Sequence, residues 1–138
     1  MKSKNIRVIF DTNVWISFLI GKQLATLRQQ IVNERVTVIT TSQLFTEIIE
    51  VTSRKKLRRY FPSAKVLELI SLLKLIGEDF RIQPTYFIVR DKKDNFLLDL
   101  IDISKADFLV TGDKDLLDLH KFKTARIISP TDFEELIK

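Results

Sequence analysis

Ile6-Arg7-Val8-Ile9-Phe10-Asp11-Thr12-Asn13 is the stretch from which the rest of this chain is read. Ile6 to Phe10 has the length and the β-branched, aromatic character of a strand buried in a sheet. It stops abruptly at a carboxylate followed by two small hydrogen-bonding side chains. Asp, Thr and Asn all cap helix N-termini, so the triplet suits a turn from strand into helix. The same three residues also suit a metal ligand with supporting donors beside it.

From this point the chain alternates between strand-like and helix-like patterns. A helix is expected from Asn13 to about Ile20 and another from Leu24 to Val32, before the β-branched strand Val36-Thr37-Val38-Ile39-Thr40. Leu44, Phe45, Ile48, Ile49 and Val51 then form a helical stripe. Ser63 begins a further helix with Val66, Leu67, Ile70 and Leu73 at helical spacing, ending at Gly77. Asp79 to Ile82 reads as a short strand, Asn95 to Ser104 as a helix, and Phe108 to Thr111 as a strand. Lys114 to Leu119 is a short helix, Arg126 to Ser129 a last strand, and Thr131-Asp132-Phe133-Glu134 has the spacing of a capping box opening a terminal helix. This βα rhythm predicts an α/β fold with a mostly parallel sheet and helices on both faces. Two helices separate the second and third strands, an insertion with room to stand off the sheet as an arm.

At 138 residues and 45% hydrophobic, with three glycines, three prolines and no linker, the chain is expected to form one domain over 1–138. No cysteine is present and there is one histidine, His120, which excludes disulfides, zinc–thiolate sites and cysteine nucleophiles. Hydrolytic chemistry must then come from carboxylates, hydroxyls, lysines or a metal. Met1 to Asn5 has no apolar signal region, and no apolar run approaches the roughly 20 residues of a membrane span, so a soluble, cytoplasmic protein without membrane association is expected. Net charge is +5, which favours a polyanionic partner. Its distribution is uneven: eight of the 18 acidic residues lie between Asp91 and Asp118, while Arg54, Lys55, Lys56, Arg58 and Arg59 form a basic run. That run is either an RNA-contacting surface or the solvated face of a short helix over Leu57, Tyr60 and Phe61.

Four carboxylates fall where an apolar strand gives way to a helix or within the first turns of that helix: Asp11, Glu47, Asp94 and Asp113. In an open α/β sheet the edge beyond the carboxyl ends of the strands is where ligands bind. Gathering anions there costs free energy unless a cation compensates them, and oxygen-only clusters suit Mg²⁺ or Mn²⁺. Each acid also has a structural explanation. Asp11 and Asp94 are placed to cap helices, and Asp113 follows Gly112, read here as the residue that lets the backbone turn tightly. Glu47 borders an apolar stripe, whereas Glu50 reads as an ordinary surface acid. Asp99, Asp102, Asp107 and Asp118 read as solvated faces or turns.

Asp11-Thr12-Asn13-Val14, Glu47-Ile48 after Thr41-Ser42, Asp91-x-x-Asp94-Asn95, and Val110-Thr111-Gly112-Asp113-Lys114-Asp115-Leu116-Leu117 together resemble the PIN-domain ribonucleases, and within them the toxin branch related to VapC. The resemblance runs from the first strand to Ser129-Pro130-Thr131. It implies a three-layer α/β/α fold, Mg²⁺ or Mn²⁺ held by an acidic cluster, endonucleolytic cleavage of RNA, a small antitoxin as partner, and a second copy of the chain as a further candidate partner. Asp11, Glu47, Asp94 and Asp113 fall on the family's catalytic and metal-binding positions, Asn13 and Thr111 on its supporting polar positions, and Asp91 and Asp115 are additional candidate ligands. Lys92 stands where many relatives have proline, and Ile101, Asp102 and Ile103 stand where they have alanines, which leaves the role of Asp91 open.

Two other classes compete with a nuclease. Phosphotransferases of haloacid-dehalogenase type and response-regulator receivers also place an aspartate after the first strand. The former expect a second Asp where this chain has Asn13, and the latter expect paired acids before the strand's terminal Asp, where this chain has Asn5 and Ile6. The non-enzymatic alternative is an RNA- or protein-binding module with an inert acidic pocket.

Overall fold

The computed structural model describes residues 5–21, 29, 35–88 and 94–137. All of the expected helix from Leu24 to Val32 except residue 29, as well as Asp91 and Lys92, lies outside the described residues. Strand β1 (Ile6–Phe10) leads into α1 (Thr12–Gly21), β2 (Val36–Thr40) into α2 (Ser42–Thr52) and α3 (Ser63–Ile76), and a two-residue β3 (Glu78–Asp79) precedes α4 (Asn95–Ser104). Then follow β4 (Phe108–Val110), α5 (Lys114–Leu117), β5 (Lys121–Phe122), β6 (Ala125–Ile128) and α6 (Pro130–Leu136).

The six strands are ordered β3-β2-β1-β4-β6-β5, parallel except for the antiparallel β5–β6 pair. β1 lies between β2 and β4, and its Val8, Ile9 and Phe10 are fully buried, as a strand covered on both faces must be. From β1 the chain first moves outward to β2, and later returns to the other side at β4. Right-handed crossovers in opposite directions put helices on opposite faces, which gives the three-layer α/β/α arrangement. They also open a crevice between the carboxyl ends of β1 and β4, the switch point where ligands bind in such sheets.

The insertion does not stand off as an arm. Leu69, Ile70 and Leu73 of α3 are buried, α3 packs on α2 and β2, and β3 extends the sheet beside β2. Gly77 makes this approach possible, since a Cβ there would lie 2.6 Å from the Leu73 carbonyl and 2.7 Å from Thr40 Cγ2. The strand expected over 79–82 shrinks to Glu78–Asp79, and Ile49, counted in the apolar stripe, is exposed. The edge strand β5 escapes a search for apolar runs because it is two residues, Lys121 and Phe122. The terminal helix starts earlier than its capping-box spacing indicates: Ser129 is the cap, its hydroxyl accepting from the Asp132 N–H at 3.1 Å, with Pro130 in the first turn. Phe133 of that helix meets Phe10 edge-on at 5.1 Å, which ties the end of the chain to the central strand. Among the described residues no helix is long and apolar enough to cross a membrane.

Candidate active site

Backbone pairing builds the crevice before any side chain enters it. The Asp11 N–H donates to the Val110 carbonyl at 2.9 Å and the Thr111 N–H to that of Ile128 at 3.0 Å, so the β1–β4–β6 ladder continues one residue beyond the strands. Asp11 and Thr111 are thereby held side by side, and both are buried. The Thr111 hydroxyl donates to Asp11 Oδ2 at 2.7 Å, and the Thr12 N–H donates to Oδ1 at 2.6 Å. The Asp113 N–H donates in turn to the Thr111 hydroxyl at 3.0 Å, placing a second carboxylate beside the first.

Asp11 is 5% exposed, and burial pushes its pKa above the ordinary carboxylate value. The hydrogen bonds from Thr111 and Thr12 oppose that shift, and the charge of Asp113 adds to it. The two donors orient the carboxylate without offsetting the cost of its charge. A group in this condition favours a cation.

A cleft of about 160 Å³ opens over Asp11, lined by Thr12, Asn13, Glu47, Glu50, Val51, Arg54 and Asp94. α2 supplies Glu47 from the border of its buried stripe of Leu44, Phe45 and Ile48. The Thr12 hydroxyl donates to Glu47 Oε2 at 2.9 Å, tying the first turn of α1 to α2. Asp94 stands at the N-terminus of α4, and its carboxylate makes no capping hydrogen bond there. Asp113 does cap: its Oδ1 accepts from the Leu116 N–H at 3.2 Å. That contact uses one oxygen.

The structure brings some of the named residues together and not others. Asp11, Glu47 and Asp94 share the cleft, and Asp113 joins them through Thr111 rather than lining it. Asn13 lines the cleft with an exposed side chain, while the supporting hydrogen bond comes from its neighbour Thr12, which the sequence quotes but does not single out. Glu50, read as an ordinary surface acid, lines the cleft as well. Asp115 is half-buried in the first turn of α5 and does not line the cleft, and Asp91 lies outside the described residues. Gly112 has no left-handed backbone, so the turn there does not draw on glycine's access to positive φ.

The basic run is not one surface. Arg54 lines the acidic cleft, Arg58 lines an apolar groove with Phe61 and Val66, and Arg59 donates to the Tyr60 hydroxyl at 2.7 Å while its guanidinium lies 4.8 Å from that ring. Lys55 and Lys56 are exposed in the turn between them. Phe61 is buried under this turn as expected, but Tyr60 is exposed.

Asp99 is not on a solvated face. It is 6% exposed and its Oδ1 accepts from the N–H groups of Thr85 and Tyr86 at 2.9 and 3.0 Å. It borders a larger cavity of about 540 Å³ that also holds Asp102, Arg81 and Tyr86. The acids of that cavity already have donors, so size alone does not make it the chemical centre.

An oxygen-only donor set fits Mg²⁺ or Mn²⁺ better than softer metals. Among the described residues no three carboxylates converge on one ion position. Mg²⁺ commonly takes one or two carboxylates and keeps several waters, so Asp11 with one further acid of the cleft would suffice.

Comparison with known proteins agrees with this geometry. The uncharacterized protein MJ1680 of Methanocaldococcus jannaschii is 29% identical over 122 residues, covering 86% of this chain and 78% of that protein. A crystal structure of VapBC2 from Rickettsia felis bound to a DNA fragment from their promoter superposes with a TM-score of 0.61 at 14% identity, covering 90% of this chain and 98% of that one. The family model described as PIN domain matches residues 7–115, from the first strand through the acids that follow the fourth, and the chain belongs to the PIN domain family.

Proposed function

We propose that this protein is a metal-dependent endoribonuclease acting as the toxin of a toxin–antitoxin pair, and that residues 1–138 work as one unit. The observation that carries the nuclease reading is Asp11, a carboxylate buried at the switch point of a parallel sheet, oriented by two donors and destabilised in its charged form. Asp11, Asp94 and Asp113 would hold Mg²⁺ or Mn²⁺, with Glu47 as a further ligand or as the group that orients water. A cation held there would neutralise charge on the scissile phosphate and favour ionisation of the attacking water.

The protein's own groups do the rest. Thr111 and the Thr12 N–H fix both oxygens of Asp11, and the Thr12 hydroxyl orients the Glu47 carboxylate, which would accept a proton from water in the cleft. The water oxygen bonds to phosphorus, the P–O bond to one ribose oxygen breaks, and the leaving oxygen takes up a proton. Asn13 offers an amide to the substrate at the cleft wall.

Incubation with a panel of RNAs, in Mg²⁺, in Mn²⁺ and in chelator, tests this reading. Cleavage in either metal that stops in chelator supports it. Intact RNA under every condition would favour an acidic pocket that binds without cutting. The toxin reading rests on the resemblance to the VapC branch and on the fold shared with the Rickettsia felis protein. Expression of the chain alone should slow growth, and a small protein encoded beside it should relieve the effect and co-purify. A second copy of the chain is a further partner to look for by light scattering. RNA cleavage and an antitoxin both agree with a cytoplasmic location.

A further inference from the structure

The cleft contains a cation as well as its acids. Arg54 follows Glu47 by seven residues and Glu50 by four, which continues one face of α2 past its end and into the cleft wall. Its backbone is fixed: the Arg54 N–H donates to the Val51 carbonyl, and its own carbonyl accepts from Leu57 and Arg58 at 2.8 and 3.0 Å. Its side chain is exposed, and among the described residues nothing accepts a hydrogen bond from the guanidinium. Arg7 and Arg59 differ. Arg7 forks onto Glu78 and the Ser104 carbonyl, and Arg59 is tied to Tyr60.

Resting on the nuclease reading, we infer that Arg54 grips the non-bridging oxygens of the scissile phosphate and stabilises the charge that grows on them as water attacks. Four carboxylates line the described wall of the cleft, so a phosphate meets repulsion there unless cations face it. A divalent ion held by Asp11 and its neighbours would serve the floor of the cleft. Arg54 serves the rim, with a planar fork that matches two phosphate oxygens. Its part is therefore distinct from the distributed backbone attraction of Lys55, Lys56 and Arg58, which reaches RNA of any register.

Single-turnover cleavage at saturating RNA separates the two roles. Arg54→Ala should lower the saturated rate on the order of 100-fold, the usual cost of deleting one donor to a developing oxyanion, with a smaller change in the RNA concentration needed for saturation. Arg54→Lys should fall between, and free guanidinium should restore part of the Arg54→Ala rate and none of the Asp11→Asn rate. Lys65→Ala, which removes one exposed charge on α3 away from the cleft, should cut at the parental saturated rate. If Arg54→Ala melts below the assay temperature, Arg54→Gln keeps the stem and carries the same readout. A parental saturated rate in Arg54→Ala or Arg54→Gln, or a loss confined to affinity, overturns the role of Arg54 while the nuclease reading stands. Absence of cleavage by the parent in both metals overturns the nuclease reading and this inference with it.

Discussion

Asp11 and Asp99 are both almost fully buried carboxylates, and their surroundings differ in a way that separates function from structure. Asp99 sits midway along α4 and receives the N–H groups of Thr85 and Tyr86. On the same face Asn95 Oδ1 receives the Ile88 N–H and Asp102 the Tyr86 hydroxyl, so residues 95, 99 and 102 strap the extended 85–88 segment to the helix. These groups hold the backbone of another segment in place, as side chains kept for architecture do. Asp11 also receives two hydrogen bonds, but one comes from its own neighbour Thr12 and the other from Thr111, whose hydroxyl also serves Asp113. Its bonds hold the carboxylate still, and the one from Thr111 crosses only to β4, which the backbone ladder already pairs with β1. A rigid anion beside other anions is poised for a cation, whereas Asp99 already has its partners.

The largest effect that can break this contrast is on catalysis. Asp11→Asn, Glu47→Gln, Asp94→Asn and Asp113→Asn should each lower RNA cleavage about a thousandfold or more, because on the proposed mechanism each deletes charge that would hold a cation worth several kcal/mol to the transition state. Gel-resolved cleavage of a fixed RNA checks this. Near-parental rates in all four would return the cleft to the status of Asp99's surroundings.

Asp99→Ala should do the reverse. It leaves two backbone N–H groups without their acceptor and should cost about 1.5–3 kcal/mol of stability, read by urea unfolding, while protein that remains folded keeps its cleavage rate. Equal stability of parent and variant would show that the strap does not depend on Asp99.

Much of this molecule is legible in its sequence for a definite reason. β1, β2 and β4 are largely buried and show as mostly apolar, β-branched runs, and Asp11, Glu47 and Asp113 draw notice because the parallel strands β1, β2 and β4 end at one edge of the sheet. What is not legible depends on contacts between segments distant in sequence. Asp99 looks like a surface acid until the 85–88 segment is laid against it. Thr12 matters because α2 brings Glu47 to its hydroxyl across 35 positions. The separation of Arg54, Arg58 and Arg59 into three surroundings follows from a turn that one-dimensional charge counting reads as a single patch. Gly77 reads as a helix stop, while its lack of a side chain is required by Thr40 on the adjacent strand.

The pH dependence of the metal-free protein sharpens the contrast further. The folded-state pKa of Asp11 is raised, so its contribution favours the folded protein below the ordinary carboxylate value and is lost as pH rises through the raised one. Asp102 has the opposite sign: the Tyr86 hydroxyl holds its pKa down, so its contribution is present above the ordinary value and is lost as pH falls through the lowered one. Thermal melts across the acid range in chelator should therefore show Asp11→Asn gaining on the parent as pH rises, and Asp102→Asn converging with the parent as pH falls. Parallel curves for Asp11→Asn and the parent would contradict the burial cost assigned to Asp11.

The smallest effect belongs to an acid of neither kind. Asp118 is exposed and pairs with Lys114 at 3.2 Å within one helical turn, so Asp118→Asn should change stability by less than about 1 kcal/mol and leave cleavage at the parental rate. A large loss in either would place Asp118 with the other two classes.

Thermal unfolding of the parent and of Asp11→Asn, each in chelator and in excess Mn²⁺, tests most directly whether Asp11 is held for a cation. Mn²⁺ at about a hundredfold over its dissociation constant should stabilise the parent by about 2.7 kcal/mol and leave Asp11→Asn nearly unmoved. In chelator the variant should melt at or above the parent's temperature, because it no longer buries a charge. A parent that melts at one temperature with and without Mn²⁺, or a variant that is destabilised in chelator, would mean that Asp11 is a structural residue and not the centre of a metal site.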